Sequence, residues 1–113
     1  MPYIQVRSNK KIEKEQEVHI KTKIGEAVTI IGKSESWLML EIVDQCRLYF
    51  KGDNNKNIAY VDVKMYGSSS SECYNEMTKT ICTILNDELE ISPDNVYVSY
   101  GEYSNWGWNG NNF

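Results

Sequence analysis

The chain has few of the residues that build metal sites or disulfide frameworks. It contains one histidine and three cysteines, and an odd number of cysteines at wide spacings suits neither a disulfide framework nor a zinc site. We therefore expect no metal cluster, and we expect the thiols to be reduced and mostly buried. The three cysteines are Cys46, Cys73 and Cys82.

The sequence also lacks a long apolar run and an excess of basic residues. Its most hydrophobic stretch, Trp37–Leu40, is far shorter than the ~20 residues of a membrane helix. No apolar segment of signal-peptide length occurs near Met1. We therefore expect no membrane insertion. The 12 Lys and Arg against 16 Asp and Glu give a formal net charge of −4, which disfavours nucleic acid as a partner.

What remains is the composition of an ordinary globular chain. Apolar residues make up 41% of the sequence and charged residues 25%, which excludes a disordered or collagen-like chain. A length of 113 residues fits one compact domain. We expect a single domain over residues 1–113.

Two amphipathic helices are predicted from apolar residues at helical spacing. The first covers about 15–31 and ends at Gly32, which sits where a C-terminal cap belongs. The second begins after Gly67 and the four serines 68–71, which supply N-cap candidates. The apolar stripes are Ile20, Ile24, Ala27, Val28 and Ile31 in the first helix, and Tyr74, Met77, Ile81, Ile84, Leu85 and Leu89 in the second.

Strands flank both helices, so the order strand–helix–strand occurs twice. Two such units predict an α/β fold with one four-stranded sheet and two helices, and each crossover should be right-handed. We predict that the second strand, Trp37–Val43, is buried on both faces. The predicted strands are Tyr3–Arg7, Trp37–Val43, a segment from Ile58 and Tyr60 to Val61 and Val63, and Val96–Tyr100.

The predicted sheet has one face without a helix. If both helices cover the same face, the apolar residues of Trp37–Val43 on the opposite face would give a monomer a large exposed apolar patch. Association of several copies through that face would cover the patch. The pattern therefore predicts an oligomer.

Several short motifs occur together along the whole chain. They are Met1–Pro2, Gly32–Lys33, Phe50 with Gly52, the run from Leu89 through Ile91-Ser92-Pro93-Asp94 to Val96–Tyr97, and Gly107-Trp108-Asn109 with Phe113. At these positions the chain resembles the macrophage migration inhibitory factor family of the tautomerase superfamily. The resemblance implies two β-α-β units per subunit, a homotrimer with the sheets wrapped inside, and pockets between neighbouring subunits.

Pro2 and Lys33 are the candidate catalytic residues. Removal of Met1 leaves Pro2 with a free secondary amine, and burial lowers the pKa of a terminal amine from its usual ~7.7–8.0 towards neutrality, which suits a general base. A fixed cation such as Lys33 stabilises negative charge on a substrate oxygen or holds a carboxylate. By resemblance, Lys33 contacts the substrate.

Aromatic side chains are expected to wall the pocket. By resemblance, Trp37 replaces a tyrosine that lines the pocket, and Tyr97 matches a tyrosine contributed by the adjacent subunit. Trp108 and Trp106 lie near the mouth in the same comparison. An aromatic wall makes the site more apolar and so lowers the pKa of the base.

Two expected substrate-binding positions depart from the family pattern. Tyr66, within Met65-Tyr66-Gly67, replaces the isoleucine of Ser-Ile-Gly and brings a bulky side chain close to the substrate. Ser99 replaces an asparagine that often binds substrate; its hydroxyl still donates a hydrogen bond but reaches less far. We therefore expect a substrate preference different from that of the family.

The resemblance implies a keto–enol tautomerase of phenylpyruvate or dopachrome type that acts on small aromatic 2-oxo acids without any cofactor. The alternative is a cytokine-like ligand of a cell-surface receptor with a weak or vestigial pocket. Some family members leave cells without a signal peptide, so the expected location is cytoplasmic, secreted or both. A third reading, an unrelated β-α-β module such as a ferredoxin-like binding domain, predicts a monomer.

Overall fold

The chain folds as two successive strand–helix–strand units. A computed structural model describes all residues, Met1–Phe113. Neither helix is long and apolar enough to cross a membrane. The elements are β1 Pro2–Ser8, α1 Lys14–Ala27, β2 Met39–Val43, β3 Ala59–Tyr66, α2 Ser71–Leu89, β4 Val96–Tyr103, β5 Gly107–Trp108 and β6 Asn111–Asn112.

The four long strands form one sheet in the order β2-β1-β3-β4. Strands β1 and β2 are parallel and joined by α1, and β3 and β4 are parallel and joined by α2. The two units meet through the antiparallel pair β1 and β3. This arrangement confirms the predicted α/β fold with four strands and two helices.

The helices cover one face of the sheet and enclose the hydrophobic core. Every residue of the two predicted stripes is buried, except Tyr74, which is partly exposed and packs against the core. Burial of an Ile, Leu, Val or Met side chain contributes roughly 1.5–3 kcal/mol each. The helical spacing of the stripes thus predicted which faces of α1 and α2 pack on the sheet.

The end of the first helix positions Lys33. The α-helix ends at Ala27, and residues Val28–Ile31 continue as a 3₁₀ turn. Gly32 follows in the left-handed conformation, with φ of 74°, which glycine adopts without a Cβ penalty. This confirms Gly32 as the predicted cap and sends Lys33 back towards the end of the sheet.

The second strand differs from its prediction. Only Met39–Val43 forms strand β2, because Trp37 lies in a separate 3₁₀ turn over Glu35–Trp37. Strand β2 is an edge strand, and Met39 is 68% exposed. The prediction of a strand buried on both faces is therefore wrong. The apolar run was misleading because strand order, not composition, decides which strand lies at an edge.

The third strand begins one residue later than predicted, at Ala59 rather than at Ile58. Ala59, Val61 and Val63 point into the core, whereas Tyr60 lies on the open face of the sheet. The strand also extends beyond the predicted Val63, to Tyr66. The register was set by antiparallel pairing with β1.

The open face of the sheet is mainly polar rather than apolar. The Glu41 carboxylate accepts hydrogen bonds from the Tyr3 hydroxyl and from the Gln5 amide, the latter at 2.7 Å. Asp62 and Lys64 form an ion pair with N–O distance 3.5 Å. Charged and hydrogen-bonding side chains therefore interrupt the predicted apolar patch, and the exposed apolar groups of this face include Met39, Tyr60 and Tyr97.

The cysteines are only partly as expected. All three are unpaired, but each is partly exposed. Cys73 lies in the first turn of α2, where hydrogen bonds from Ser70 and then Ser69 lower the pKa of its thiol. The prediction of mostly buried thiols is wrong.

The end of α2 carries a residue that is conformationally strained. Glu90 caps the helix at φ 55° and ψ 40°, a left-handed conformation that costs a side-chain-bearing residue roughly 1–2 kcal/mol. Its carboxylate also lies at the negative end of the helix dipole. We expect Glu90→Gly to raise the free energy of unfolding by about 1 kcal/mol, after allowance for the greater entropy of unfolded glycine. Urea denaturation measures this directly.

A matched control lies in the same helix. Glu76 is exposed within α2, so Glu76→Gly should lower stability by roughly 1 kcal/mol, the usual cost of glycine inside a helix. If Glu90→Gly lowers the denaturation midpoint as well, the left-handed cap is not a source of strain.

Candidate functional site

The start of strand β1 places Pro2 at one end of the sheet. Pro2 is buried and pairs with Met65 of β3. The next residue, Tyr3, pairs with Met39 of β2 and with Lys64 of β3, so strands on both sides hold the start of β1 in position. The proline ring fixes its own φ and is compatible with the first position of a strand.

Lys33 reaches the same end of the sheet from the turn after α1. Its ammonium Nζ donates a hydrogen bond to the backbone carbonyl of Tyr66 at 2.8 Å. None of the ion pairs in the structure involves Lys33. One N–H group of the ammonium therefore makes the hydrogen bond that positions Lys33, and the positive charge has no carboxylate partner.

Met1 shows which groups surround the Pro2 nitrogen. The Met1 carbonyl, which is bonded to that nitrogen, accepts a hydrogen bond from the Tyr66 N–H at 3.1 Å. Partial burial, and then the positive charge of Lys33, lower the pKa of the Met1 α-amino group below its ordinary value. An amine at this end of the sheet is thus shifted towards its uncharged form.

Four aromatic side chains form a row that ends at Tyr66, the residue whose backbone carbonyl binds Lys33. The Trp37 and Trp108 rings meet edge to face at a centroid distance of 5.0 Å, and Trp108 lies nearly parallel to Phe113 at 6.5 Å. Phe113 in turn contacts the Tyr66 ring at 5.6 Å. Trp37, Trp108 and Phe113 are 48%, 52% and 54% exposed, so their rings present apolar surface to the solvent.

The row contains three of the predicted pocket residues, all from one chain. Trp37, Tyr66 and Trp108 all belong to it, whereas Trp106 lies apart from it, with its ring 6.0 Å from the ring of Tyr103. The sequence analysis did not place Phe113 among the site residues. The signal that could have found it is the Asn109–Gly110 pair, which is typical of a tight hairpin turn and folds Phe113 back towards Trp108.

Tyr97 and Ser99 lie elsewhere in the same chain. Tyr97 is paired with Tyr60, which in turn faces Arg7 of β1; that level of the sheet is about 17 Å from Pro2, at ~3.3 Å per residue. Ser99 pairs with Asp62, which faces Gln5 of β1, a level about 10 Å from Pro2 along the strands. Both residues also lie two strands away from β1, which adds roughly 10 Å across the sheet. One chain therefore does not bring these two predicted residues to the Pro2 end.

The surroundings of Tyr97 and Ser99 form a second polar and aromatic cluster. The Tyr97 ring packs edge-on against Phe50 at 5.0 Å and is 64% exposed. The hydroxyls of Ser99 and Tyr60 are hydrogen bonded at 2.6 Å, and Ser99 also contacts Asp62 at 3.3 Å. Exposed aromatic surface at this end is available to a neighbouring molecule.

The fold and this arrangement define a class of small α/β proteins with two β-α-β units, whose first strand begins with a proline beside a lysine. The family model described as macrophage migration inhibitory factor matches residues 1–113. The chain belongs to the macrophage migration inhibitory factor family.

Individual relatives agree with this assignment. The chain is 31% identical to macrophage migration inhibitory factor of Mus musculus over 84 residues, which cover 73% of this chain and 72% of that protein. The crystal structure of Leishmania major MIF2 matches with a TM-score of 0.92 at 26% identity, over 100% of this chain and 97% of the other. Pt0534, solved after inactivation by 2-oxo-3-pentynoate, shares the fold with a TM-score of 0.80 at 16% identity, over 96% and 93%.

Proposed function

We propose that the protein is a keto–enol tautomerase of small 2-oxo acids, with phenylpyruvate as the first candidate substrate and dopachrome as a second. The observation that supports this most directly is the set of contacts around Tyr66. Its N–H binds the carbonyl attached to the Pro2 nitrogen, and its carbonyl binds the Lys33 ammonium. A candidate base, an amide donor and a cation therefore lie within one small region.

Pro2 is the proposed general base once Met1 is removed. Its nitrogen is then a secondary amine at a buried position, near the same lysine that lowers the pKa of the Met1 amine. Burial and a neighbouring positive charge both disfavour the protonated amine. The uncharged amine is therefore populated near neutral pH, where it can accept a proton from carbon.

Loss of Met1 also frees a hydrogen-bond donor. The Tyr66 N–H loses its partner, the Met1 carbonyl, and a substrate oxygen placed there would restore the hydrogen bond. Lys33 is close enough to bind the Tyr66 carbonyl, so its charge would stabilise an oxygen that becomes negative. Together these groups suit a 2-oxo acid, which offers both a keto oxygen and a carboxylate.

The reaction is a proton transfer without a change in oxidation state. The Pro2 nitrogen takes a proton from the carbon next to the keto group, and the electron pair of that C–H bond forms the enolate. Lys33 stabilises the enolate oxygen or the carboxylate, and a proton returned to that oxygen gives the enol. These steps use only side chains and the terminal amine, so the proposal requires no cofactor.

A homotrimer is proposed as the active assembly. Within one chain, Tyr97 and Ser99 lie about 17 and 10 Å from Pro2 along the strand direction and two strands away from β1 across the sheet, so a pocket that contains them all needs a second copy. The free edges of β2 and β4 and the exposed Tyr97 ring are surfaces for such an association. Sedimentation of the Met1-free protein should therefore give the mass of a trimer rather than a monomer.

The proposed activity is tested by following the enol absorbance of phenylpyruvate with protein whose loss of Met1 is verified by mass. We expect a rate above that of the buffer, falling as the pH drops through the pKa of the Pro2 amine. That midpoint should lie below the ~7.7 of an ordinary terminal amine, because burial and Lys33 favour the uncharged form.

Failure of this assay would favour a second candidate function. Protein that forms the trimer but does not accelerate phenylpyruvate or dopachrome exchange would contradict the tautomerase proposal. The departures at Tyr66 and Ser99 would then mark a vestigial pocket in a cytokine-like ligand of a cell-surface receptor. We propose a cytoplasmic location, or release without a signal peptide, and release is required only for the ligand function.

A further inference from the structure

Helix α1 contains a glycine whose missing side chain leaves room for Glu35. Gly25 is buried within the helix, where the backbone favours alanine over glycine. The three heavy atoms closest to a Cβ at position 25 would all belong to Glu35: Cγ at 3.0 Å, and Cδ and Oε2 closer still. An alanine at this position would therefore take the place of the Glu35 side chain. We call this place the Gly25 notch.

The Glu35 carboxylate is held on α1 at the Gly25 notch. Glu35 begins the 3₁₀ turn Glu35–Trp37, and its side chain is only 50% exposed. Lys21, one helical turn before Gly25, places its Nζ 4.0 Å from Oε2 of Glu35. The notch thus supplies space, and Lys21 a positive charge, for a carboxylate that the chain after Lys33 brings back to the helix.

The same carboxylate is the acidic group nearest to Lys33 along the sequence. Ser34, the one residue between them, is extended, with φ of −121° and ψ of 141°. Residues on either side of an extended residue project in the same direction and lie about 7 Å apart, a separation that lysine and glutamate side chains span. In the structure the two side chains nevertheless diverge. The Lys33 ammonium binds the Tyr66 carbonyl at 2.8 Å, Glu35 lies at the notch, and no ion pair joins them.

We propose that Gly25 is a positioning residue: its notch keeps the Glu35 carboxylate on α1, so that the Lys33 ammonium stays free to bind an anionic substrate. This inference rests on the proposed tautomerase function. A carboxylate paired with Lys33 would compete with the carboxylate or the enolate oxygen of a 2-oxo acid for the same N–H groups. It would also cancel the positive charge that disfavours protonation of the nearby terminal amine.

Filling the notch with Gly25→Ala is expected to lower kcat/KM for phenylpyruvate about tenfold, less than the ~10²-fold effect of removing a group that stabilises an oxyanion. The acid limb of the pH–rate profile should move to higher pH, because a neutralised Lys33 no longer opposes protonation of Pro2. Adding Glu35→Gln removes the competing charge while the new Cβ stays in place, and should restore the parent rate. Glu35→Gln alone should change the rate by less than about twofold, so the two changes are strongly non-additive.

Two exposed residues of α1 provide matched controls. Thr22→Ala raises the helix propensity of α1, as Gly25→Ala does, but it leaves the notch open. Glu26→Gln removes the carboxylate that follows Gly25 in the sequence. Both variants should keep the parent rate and the parent pH profile.

Titration of the terminal amine tests the inference without catalysis. In Met1-free protein with isotope-labelled proline, the NMR signal of the Pro2 nitrogen follows protonation of the amine. Lys33 lowers the pKa of the amine at this end of the sheet. Gly25→Ala should therefore raise the pKa of the Pro2 amine above that of the parent, and Glu35→Gln in the same chain should return it to the parent value.

These variants decide the inference. It is overturned if Gly25→Ala keeps the parent rate, if the rate falls without a rise in the pKa of the amine, or if the double variant is as slow as Gly25→Ala. Equal slowing by Glu35→Gln alone also overturns it. If the parent has no activity on phenylpyruvate, the tautomerase proposal fails, and the amine titration then shows by itself whether the notch keeps Glu35 away from Lys33.

Discussion

Insertion of one alanine between Met1 and Pro2 is expected to reduce tautomerase activity by at least ~10²-fold, the low end for loss of a general base. The insertion turns the Pro2 nitrogen into an amide, which has no useful basicity. It also keeps a carbonyl at the position where the Met1 carbonyl binds the Tyr66 N–H, so the proposed place of the substrate oxygen stays filled. The rate of phenylpyruvate exchange measures the loss.

Two controls separate chemistry from folding. The sheet pairs Pro2 with Met65 while Met1 is attached, so the extended chain should keep the circular dichroism spectrum and sedimentation of the parent. Pro2→Gly retains a terminal amine but loses the ring that fixes it. Its activity should lie between that of the parent and that of the alanine-extended protein. An alanine-extended protein as active as the parent would eliminate Pro2 as the base.

Replacement of Lys33 by methionine is expected to lower kcat/KM for phenylpyruvate by about 10²-fold, the scale of a lost group that stabilises an oxyanion. Methionine keeps a side chain of similar length without the charge. The acid limb of the pH–rate profile should also move to higher pH. Lys33 lowers the pKa of the terminal amine in the structure, so its removal favours the protonated, inactive base.

Lys23 supplies the matched control for this change. It lies on α1, where its ammonium pairs with Glu88 at 2.7 Å, and it contacts none of the proposed site residues. Lys23→Met should leave the rate and the pH profile unchanged, while Lys33→Arg should retain part of the activity. A Lys33→Met protein with the parent rate, or with an acid limb moved to lower pH, would contradict the assigned role.

The sequence predicted the features that depend on local pattern. The stripes of α1 and α2 follow from helical spacing, and Gly32 follows from the φ that its position requires. Strand β2 was mispredicted because its apolar residues indicate a strand but not its place at the sheet edge. The bounds of β3 were less predictable, because they depend on the residues of β1 with which the strand pairs.

The proposed site also combines residues that the sequence predicted with contacts that it could not predict. Pro2 and Lys33 were inferred from their chemistry and from the family resemblance, and the structure places both at one end of the sheet. The contacts that Tyr66 makes through its backbone were not predictable, because they arise where β1, β3 and the turn before Lys33 converge. Phe113 was missed as a site residue because its contact with Tyr66 requires the hairpin to return across the chain.

The most direct test of the central claim is covalent labelling by 2-oxo-3-pentynoate, the compound that inactivates the structurally similar Pt0534. An uncharged amine adds to the conjugated triple bond: a new N–C bond forms, and the proton of the amine moves to the neighbouring carbon. Mass mapping of the Met1-free protein at neutral pH should find one added reagent per chain, on Pro2. No label in the alanine-extended chain would agree with this account. Labelling elsewhere, or equal labelling of both proteins, would contradict it.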